Sequence, residues 1–125
     1  MTVMSVMVID DDDIVLESLK HALSLNGFVV STFLSPRQAL CEYEADQDRY
    51  DIVISDFHLP GMNGIEVMSE ILKKNPGVPV IIISGNEDRE LLPKSLQMGA
   101  CAFFYKPLDI NQLIDKLYEL AGIEN

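Results

Sequence analysis

The sequence has 125 residues, of which 48% are hydrophobic and 23% charged, and its formal net charge is −11. This length and balance are typical of one folded globular domain and exclude an intrinsically disordered chain. The negative charge argues against direct binding of this domain to nucleic acid or to an anionic membrane surface, since both repel it.

The amino-terminal run MTVMSVMVI is apolar, but it is followed by aspartates and has no basic residues before it. It therefore lacks the features of a signal peptide, and no apolar run approaches the ~20 residues of a membrane span. We expect a cytoplasmic protein. Cys41 and Cys101 show neither metal-site spacing nor a disulfide framework, and are predicted to be two small buried hydrophobic residues.

The first predicted strand, Val3–Ile9, leads into four consecutive aspartates, Asp10 to Asp13. A helix follows, with Leu16, Leu19 and Leu23 on one face, and it stops at Gly27. Two carboxylates ~4 Å apart repel each other by ~4 kcal/mol at an effective dielectric constant of about 20. The aspartate cluster therefore either points into water or faces a positive group.

The second predicted strand is Phe28–Thr32. The helix after it begins at residues 35–38, where Ser35 caps, a proline takes the first position and Gln38 completes a capping box. The third strand, Asp51–Ser55, ends at Asp56. A turn with two glycines then leads to a third helix, whose apolar face contains Ile65, Met68 and Leu72 and which halts near residues 75–77.

The fourth predicted strand, Val78–Ile83, ends at Ser84 and Gly85. Because Pro93 would break a helix interior, the fourth helix is expected to begin near Leu92 and to stop at Gly99. The fifth strand, Cys101–Tyr105, ends at Lys106. The last helix is capped by Asp109 and ends at Gly122.

This alternation predicts an α/β fold with a single doubly wound parallel sheet and right-handed crossovers. The nearly continuous apolar runs at residues 52–54 and 80–83 are typical of strands covered on both faces. Functional sites in such sheets lie outside the carboxyl ends of the strands. Four of the five strand ends carry reactive groups, namely Asp10 and Asp11, Asp56, Ser84, and Lys106.

Three carboxylates at one edge need a cation. An all-oxygen ligand set with few protein ligands favours Mg²⁺, and no histidine or cysteine cluster supports zinc. The hydroxyl of Ser84 and the ammonium of Lys106 would complete a pocket for a tetrahedral oxyanion. A carboxylate can itself be the nucleophile in phosphoryl transfer, which would give an aspartyl phosphate. Gly85 leaves room for the incoming group.

Four segments, IDDDD, SDFHLPGMNGIEV, VIIISGNED and GACAFFYKPLD, resemble those of the receiver domain of two-component response regulators, in order and spacing along essentially the whole chain. The resemblance implies a flavodoxin-like five-stranded sheet with strand order 2-1-3-4-5. It also implies one receiver domain over residues 1–125. Since only three residues follow Gly122, we expect no output domain in this chain, which would be either a stand-alone receiver or a fragment of a longer regulator or hybrid kinase.

The resemblance assigns roles to individual residues. Asp56 matches the phosphoacceptor. Asp11 matches a direct Mg²⁺ ligand, Asp10 an acid that holds the ion mainly through water, and the backbone carbonyl of His58 the third protein ligand, and Mn²⁺ can substitute for Mg²⁺. Ser84 matches the hydroxyl that moves toward the phosphoryl group.

Lys106 matches the ammonium that pairs with the phosphoryl group, and the Lys106–Pro107 peptide bond is expected to be cis. Phe103 matches a switch aromatic that turns inward when Ser84 moves, although an ordinary core position is an equally good interpretation of it. His58 and Asn86 flank the path of the hydrolytic water and are candidates for tuning its rate.

The resemblance also implies partners. A sensor histidine kinase or histidine phosphotransfer protein would dock near the first helix and donate the phosphoryl group. A downstream effector would bind the face formed by helix 4, strand 5 and helix 5, and phosphorylation could also drive dimerisation. The domain would catalyse only its own phosphorylation and slow dephosphorylation, and would otherwise not be an enzyme.

Other interpretations stay open. Asp12 and Asp13 are expected only to favour the start of the first helix. A haloacid-dehalogenase-type phosphatase would use Asp10-x-Asp12, but it needs a further acidic pair after the lysine, where only Asp109 and the distant Asp115 follow. A pure adaptor with an unused pocket is the third alternative.

Overall fold

The structure is a computed structural model that describes residues 4–85 and 89–122. Its strands are β1 Ser5–Ile9, β2 Val29–Phe33, β3 Ile52–Asp56, β4 Val80–Ser84 and β5 Ala102–Tyr105. Its helices are α1 Asp13–Leu25, α2 Pro36–Ala45, α3 Gly64–Lys74, α4 Leu91–Gln97 and α5 Ile110–Ala121, with a 3₁₀ turn at Gln47–Arg49.

The five strands form one parallel sheet in the order β2-β1-β3-β4-β5. This order confirms the predicted doubly wound, flavodoxin-like fold. Its point of reversal lies at β1, because the chain passes from β1 to β2 on one side and then returns to β3 on the other. The carboxyl ends of β1 and β3 are therefore neighbours, as the ligand site of such a sheet requires.

The two faces of the sheet are covered by different helices. Buried residues of α1 and α5 pack on one face, among them Leu19 and Leu117. Buried residues of α2 and α3 pack on the other, among them Tyr43 and Met68. Every residue of β3 and β4 is buried, which confirms that these strands are covered on both sides.

Ser35 and Asp109 cap α2 and α5 as predicted, because their side-chain oxygens accept hydrogen bonds from first-turn amides, and Gly122 ends α5 in a left-handed conformation with φ 72°. Of the capping box predicted at α2, the structure gives the bond from the amide of Gln38 to Ser35. Asp12, which was expected only to favour the start of the first helix, caps α1 by accepting from the amide of Ile14. At α3 the structure adds a full capping box that the sequence analysis passed over. Asn63 accepts from the amide of Glu66, and Glu66 accepts from the amide of Asn63.

Several element boundaries and the burial of two cysteines differ from the predictions. The β3 and β4 strands include Asp56 and Ser84, because the parallel pairing continues one residue further than the apolar pattern. The α4 helix begins at Leu91, one residue earlier than expected, with Pro93 in its first turn. Cys41 is exposed and Cys101 only half-buried, so the prediction that both are buried was wrong.

In the described part of the chain, each helix is too short or too polar to span a bilayer.

Candidate functional site

Three carboxylates meet at the carboxyl edge of the sheet. Asp10, Asp11 and Asp56 each offer an oxygen, and these oxygens all lie within 4.8 Å of one another. Asp10 is fully buried, Asp56 is 4% exposed, and Asp11 is exposed. The predicted convergence of the ends of β1 and β3 is therefore present, with one of the acids open to solvent.

Backbone hydrogen bonds beyond the strand ends hold these residues in place. The amide of Asp10 donates to the carbonyl of Phe33 over 3.1 Å, and the amide of Phe57 donates to the carbonyl of Ile83 over 2.8 Å. At the next junction the amide of Lys106 donates to the carbonyl of Ser84 over 2.7 Å. The site is thus built on the rigid sheet rather than on free loops.

Lys106 bridges two of the acids. Its Nζ lies 2.9 Å from Oδ2 of Asp10 and 3.2 Å from Oδ2 of Asp56. One ammonium and three carboxylates sum to −2 when all four are ionised, since +1 and −3 combine. This is the charge that one divalent cation balances.

The electrostatics at Asp56 are unfavourable without a cation. Burial raises the pKa of its carboxyl above the ordinary value, and the charge of Asp10 raises it further, against the lowering effects of Lys106 and of the His58 backbone. Burial lowers the pKa of Lys106, but its bonds and charge interactions with Asp10 and Asp56 outweigh this and leave the pKa raised. The arrangement therefore favours a protonated lysine beside a carboxyl that is costly to ionise.

Ser84 places a buried hydroxyl group at the site without a hydrogen-bond partner among the described residues. Its side chain is fully buried, and its Oγ has no hydrogen-bond partner among the described residues. A buried hydroxyl left unpaired costs about 1–3 kcal/mol, so such groups call for an explanation. Ser84 stands one residue beyond Ile83, the register partner of Asp56, and a ligand oxygen at the site would give its hydroxyl a partner.

The donor set fits a hard divalent cation. Three carboxylates offer oxygen ligands, and the exposed Asp11 leaves part of the coordination sphere open to water, as Mg²⁺ prefers. The side chain of His58 is exposed and makes an edge contact with Phe57, with ring centroids 5.0 Å apart. His58 follows Asp56 by two residues in the chain. Asn86 lies outside the described residues.

The remaining predicted residues are on β5 and just after it. The Lys106–Pro107 peptide bond is cis. Phe103 is half-buried and packs against the core face that carries α2 and α3. Its ring makes an edge contact with Tyr105, at 5.0 Å between centroids and 68° between planes. The sequence analysis gave Tyr105 no role, although its alternation with Phe103 places both on one face.

Gly64, which the sequence analysis treated only as part of a turn, supports the backbone of Asp56. Its amide donates to the carbonyl of Phe57 over 2.8 Å. A Cβ atom at this position would lie 2.5 Å from the carbonyl oxygen of Asp56 and 2.9 Å from Cα of Phe57. Only glycine lets α3 begin this close to the site. The signal was in the sequence, as Asn63-Gly64 followed by Glu66.

Comparison with known proteins agrees with this geometry. The DctD protein of Rhizobium meliloti (strain 1021), a C4-dicarboxylate transport transcriptional regulatory protein, is 37% identical over 110 residues, which are 88% of this chain and 24% of that protein. A response regulator receiver domain protein from Clostridium thermocellum has a TM-score of 0.91 at 27% identity, with 95% of this chain and 94% of that chain covered. A chain of the CheX-CheY-BeF3-Mg²⁺ complex of Borrelia burgdorferi has a TM-score of 0.86 at 27% identity, with 94% and 89% covered.

The chain spans 16% to 29% of the length of eight curated relatives that it matches. A family model described as the response regulator receiver domain matches residues 6–118. That match covers nearly all of the sheet and every strand end described above. The chain therefore belongs to the response regulator receiver domain family.

Proposed function

We propose that Asp56 accepts a phosphoryl group from a phosphohistidine of a sensor histidine kinase or histidine phosphotransfer protein. The observation that carries this proposal is the setting of Asp56. It is buried, contacts Lys106, and shares a cluster with two further carboxylates. On the neighbouring strand, the hydroxyl of Ser84 has no hydrogen-bond partner among the described residues. Receiver domains as a family are phosphoacceptor switches.

Asp10, Asp11 and Asp56, with the backbone carbonyl of His58, would hold Mg²⁺, for which Mn²⁺ can substitute. The cation would offset the charge of the carboxylates and of the phosphoryl oxygens. The chemistry that the protein itself contributes is mostly positioning. An oxygen of Asp56 attacks phosphorus in line, the phosphorus–nitrogen bond breaks, and the histidine nitrogen leaves with the electron pair.

The aspartyl phosphate needs new partners, because phosphorylation adds a group of roughly −2 charge. Lys106 can turn its ammonium from Asp10 and Asp56 to a phosphoryl oxygen, and Ser84 can donate its hydroxyl to another. Slow hydrolysis by water then returns Asp56 and releases inorganic phosphate. The exposed His58, together with Asn86, is the candidate for tuning that rate.

The output would follow from the movement of Ser84. Its shift opens space into which Phe103 turns, and the face formed by α4, β5 and α5 changes shape for a downstream effector or for a second copy of the chain. Moving a population from 1:99 to 99:1 requires about 5.5 kcal/mol of differential binding. Three of the relatives are named as transcriptional regulators, which supports an effector outside this domain. We also propose that residues 1–125 form one receiver domain in the cytoplasm.

The alternative of a dehalogenase-type phosphatase is less well supported by the geometry. Its Asp-x-Asp motif would need Asp12 as the second catalytic acid. Here Asp12 caps α1, with Oδ1 accepting from the amide of Ile14 over 2.9 Å. Asp10 in turn accepts from the amide of Asp12 and from Lys106.

Incubation with acetyl phosphate and Mg²⁺, followed by mass spectrometry of reduced and digested protein, tests the proposal. We expect modification of Asp56, its loss in Asp56→Asn, and its loss when EDTA replaces Mg²⁺. Modification of Asp10 would support the phosphatase alternative. No modification at all would support the adaptor.

A further inference from the structure

The side chains of Ser84, Phe103 and Tyr105 lie on one face of the sheet. In the pairing of β4 with β5, Ser84 is the register partner of Tyr105 and Ile82 is the register partner of Phe103. Register partners on parallel strands point to the same face, and so do residues i and i+2 of one strand. Tyr105 is therefore the direct neighbour of both Ser84 and Phe103.

The ring of Tyr105 also contacts the ring of Phe103, and any rotation of Phe103 must change this contact. The two rings meet edge to face, an arrangement that aromatic pairs prefer and that adds attraction beyond simple burial. Both side chains are half-buried, so neither is held by complete enclosure. In this arrangement the Ser84 hydroxyl has no partner among the described residues.

We propose that Tyr105 is a positioning residue of the switch, which holds Phe103 in the resting arrangement through this ring contact. The inference rests on the proposed function of Asp56, Ser84 and Phe103. Inward rotation of Phe103 breaks the contact, so the contact opposes activation. By linkage, anything that stabilises the resting arrangement weakens the apparent affinity for a ligand that prefers the active one.

The test uses beryllofluoride, formed from beryllium chloride and sodium fluoride, as the phosphoryl analogue in saturating Mg²⁺. Its dissociation constant is measured from the backbone amide NMR signals of the carboxyl edge. Tyr105→Leu removes the ring but keeps an apolar side chain, and Tyr105→Phe keeps the ring and is the matched control. We expect Tyr105→Leu to bind about two- to tenfold more tightly than wild type. Tyr105→Phe should match wild type, and Mg²⁺ affinity should be equal in all three.

A second pair of variants separates positioning from general destabilisation. In a Phe103→Leu background the ring contact is already lost, so Tyr105→Leu should change the beryllofluoride affinity by less than about twofold. If Tyr105→Leu does not fold, Tyr105→Val, with a side chain that favours strands, takes its place. Unchanged or weaker binding in the single variant, or an equal gain in the Phe103→Leu background, overturns the inference.

Failure of the proposed function looks different. In that case wild type itself shows no Mg²⁺-dependent beryllofluoride binding, and acetyl phosphate does not modify Asp56. That outcome would contradict both the proposed function and the role of Tyr105. If wild type binds beryllofluoride normally and Tyr105→Leu has no effect, only the proposed role of Tyr105 is contradicted.

Discussion

The ammonium of Lys106 lies closer to Asp10 than to the proposed phosphoacceptor Asp56, at 2.9 Å and 3.2 Å. Asp10 is fully buried, and this contact places a positive charge beside its carboxyl group. Before any phosphoryl group arrives, Lys106 therefore has a structural task, which is to offset two buried carboxylates that lie side by side.

Removal of that ammonium should be costly. We expect Lys106→Met in EDTA to lower the free energy of unfolding by about 3 kcal/mol, because it leaves buried carboxylates without their partner. Urea denaturation measures this change, and added Mg²⁺ should recover more stability in the variant than in wild type. Lys116→Met is the matched control. The two lysine side chains are 26% and 27% exposed, but Lys116 pairs with Glu119, which is 69% exposed, and its loss should cost under about 1 kcal/mol.

Neutralising Asp56 should have the opposite effect. Burial and the charge of Asp10 disfavour its carboxylate, so Asp56→Asn in EDTA should raise the free energy of unfolding, by on the order of 1 kcal/mol. In Mg²⁺ wild type should become more stable than Asp56→Asn, because a ligand that binds only the folded state stabilises wild type more than the variant. Thermal denaturation with and without Mg²⁺ checks this. A less stable Asp56→Asn protein in EDTA would show that the contact with Lys106 outweighs burial.

Two buried serines allow stability and function to be separated. Ser84 and Ser95 are both fully buried, and neither Oγ has a partner among the described residues. Replacing either with alanine should raise the free energy of unfolding by about 1 kcal/mol. Acetyl phosphate labelling should fall in Ser84→Ala alone, since Ser95 lies within α4. Equal loss of labelling in both variants would contradict the assigned role of Ser84.

A single methyl group at Gly64 should disturb the site. The added Cβ would meet the carbonyl of Asp56 at 2.5 Å, so α3 or the end of β3 must move. We expect Gly64→Ala to lower the free energy of unfolding by roughly 2 kcal/mol and to slow labelling of Asp56. Gly77→Ala is the control, because its Cβ would come no nearer than 3.8 Å to Oδ1 of Asn75. It should be neutral or slightly stabilising.

The two cysteines should differ in reactivity and in its dependence on pH. Cys101 is half-buried, and burial raises the pKa of its thiol, whereas Cys41 is exposed. The thiolate is the reactive form, so alkylation of Cys101 by iodoacetamide should lag behind that of Cys41 and should need higher pH. Peptide mass spectrometry over time at several pH values follows both sites. Faster modification of Cys101 near neutral pH would contradict its burial.

Much of the site was predictable because a parallel sheet brings its carboxyl ends to one edge. That rule placed Asp10, Asp11 and Asp56 together, and their oxygens do cluster. The contact of Lys106 with both Asp10 and Asp56 was not predictable, since the position of a flexible side chain is decided by tertiary packing. The extension of β3 to Asp56 was missed for a related reason. Strand pairing continues through polar residues, where an apolar pattern stops.

The burial of Cys41 was misjudged on residue type, although periodicity offered a better guide. Ala39 and Tyr43 are four residues apart and fully buried, and they define the inner face of α2. Cys41 lies midway between them, about 200° around the helix, and so faces solvent. Helical spacing decides the exposure of a small side chain more reliably than its average burial.

Hydrogen bonds link the carboxylate cluster of Asp10, Asp11 and Asp56 to the start of α1. Oδ1 of Asp10 accepts from the amide of Asp12, whose own carboxylate caps the amide of Ile14. Ile14 is 76% exposed and lies at the start of the helix near which a phosphodonor is expected to dock. Cation binding at the cluster can therefore be followed at an amide on the protein surface. Amide hydrogen exchange at Asp12 and Ile14 should slow when Mg²⁺ binds, and a docking partner would then meet a stiffer helix end on the loaded domain than on the empty one.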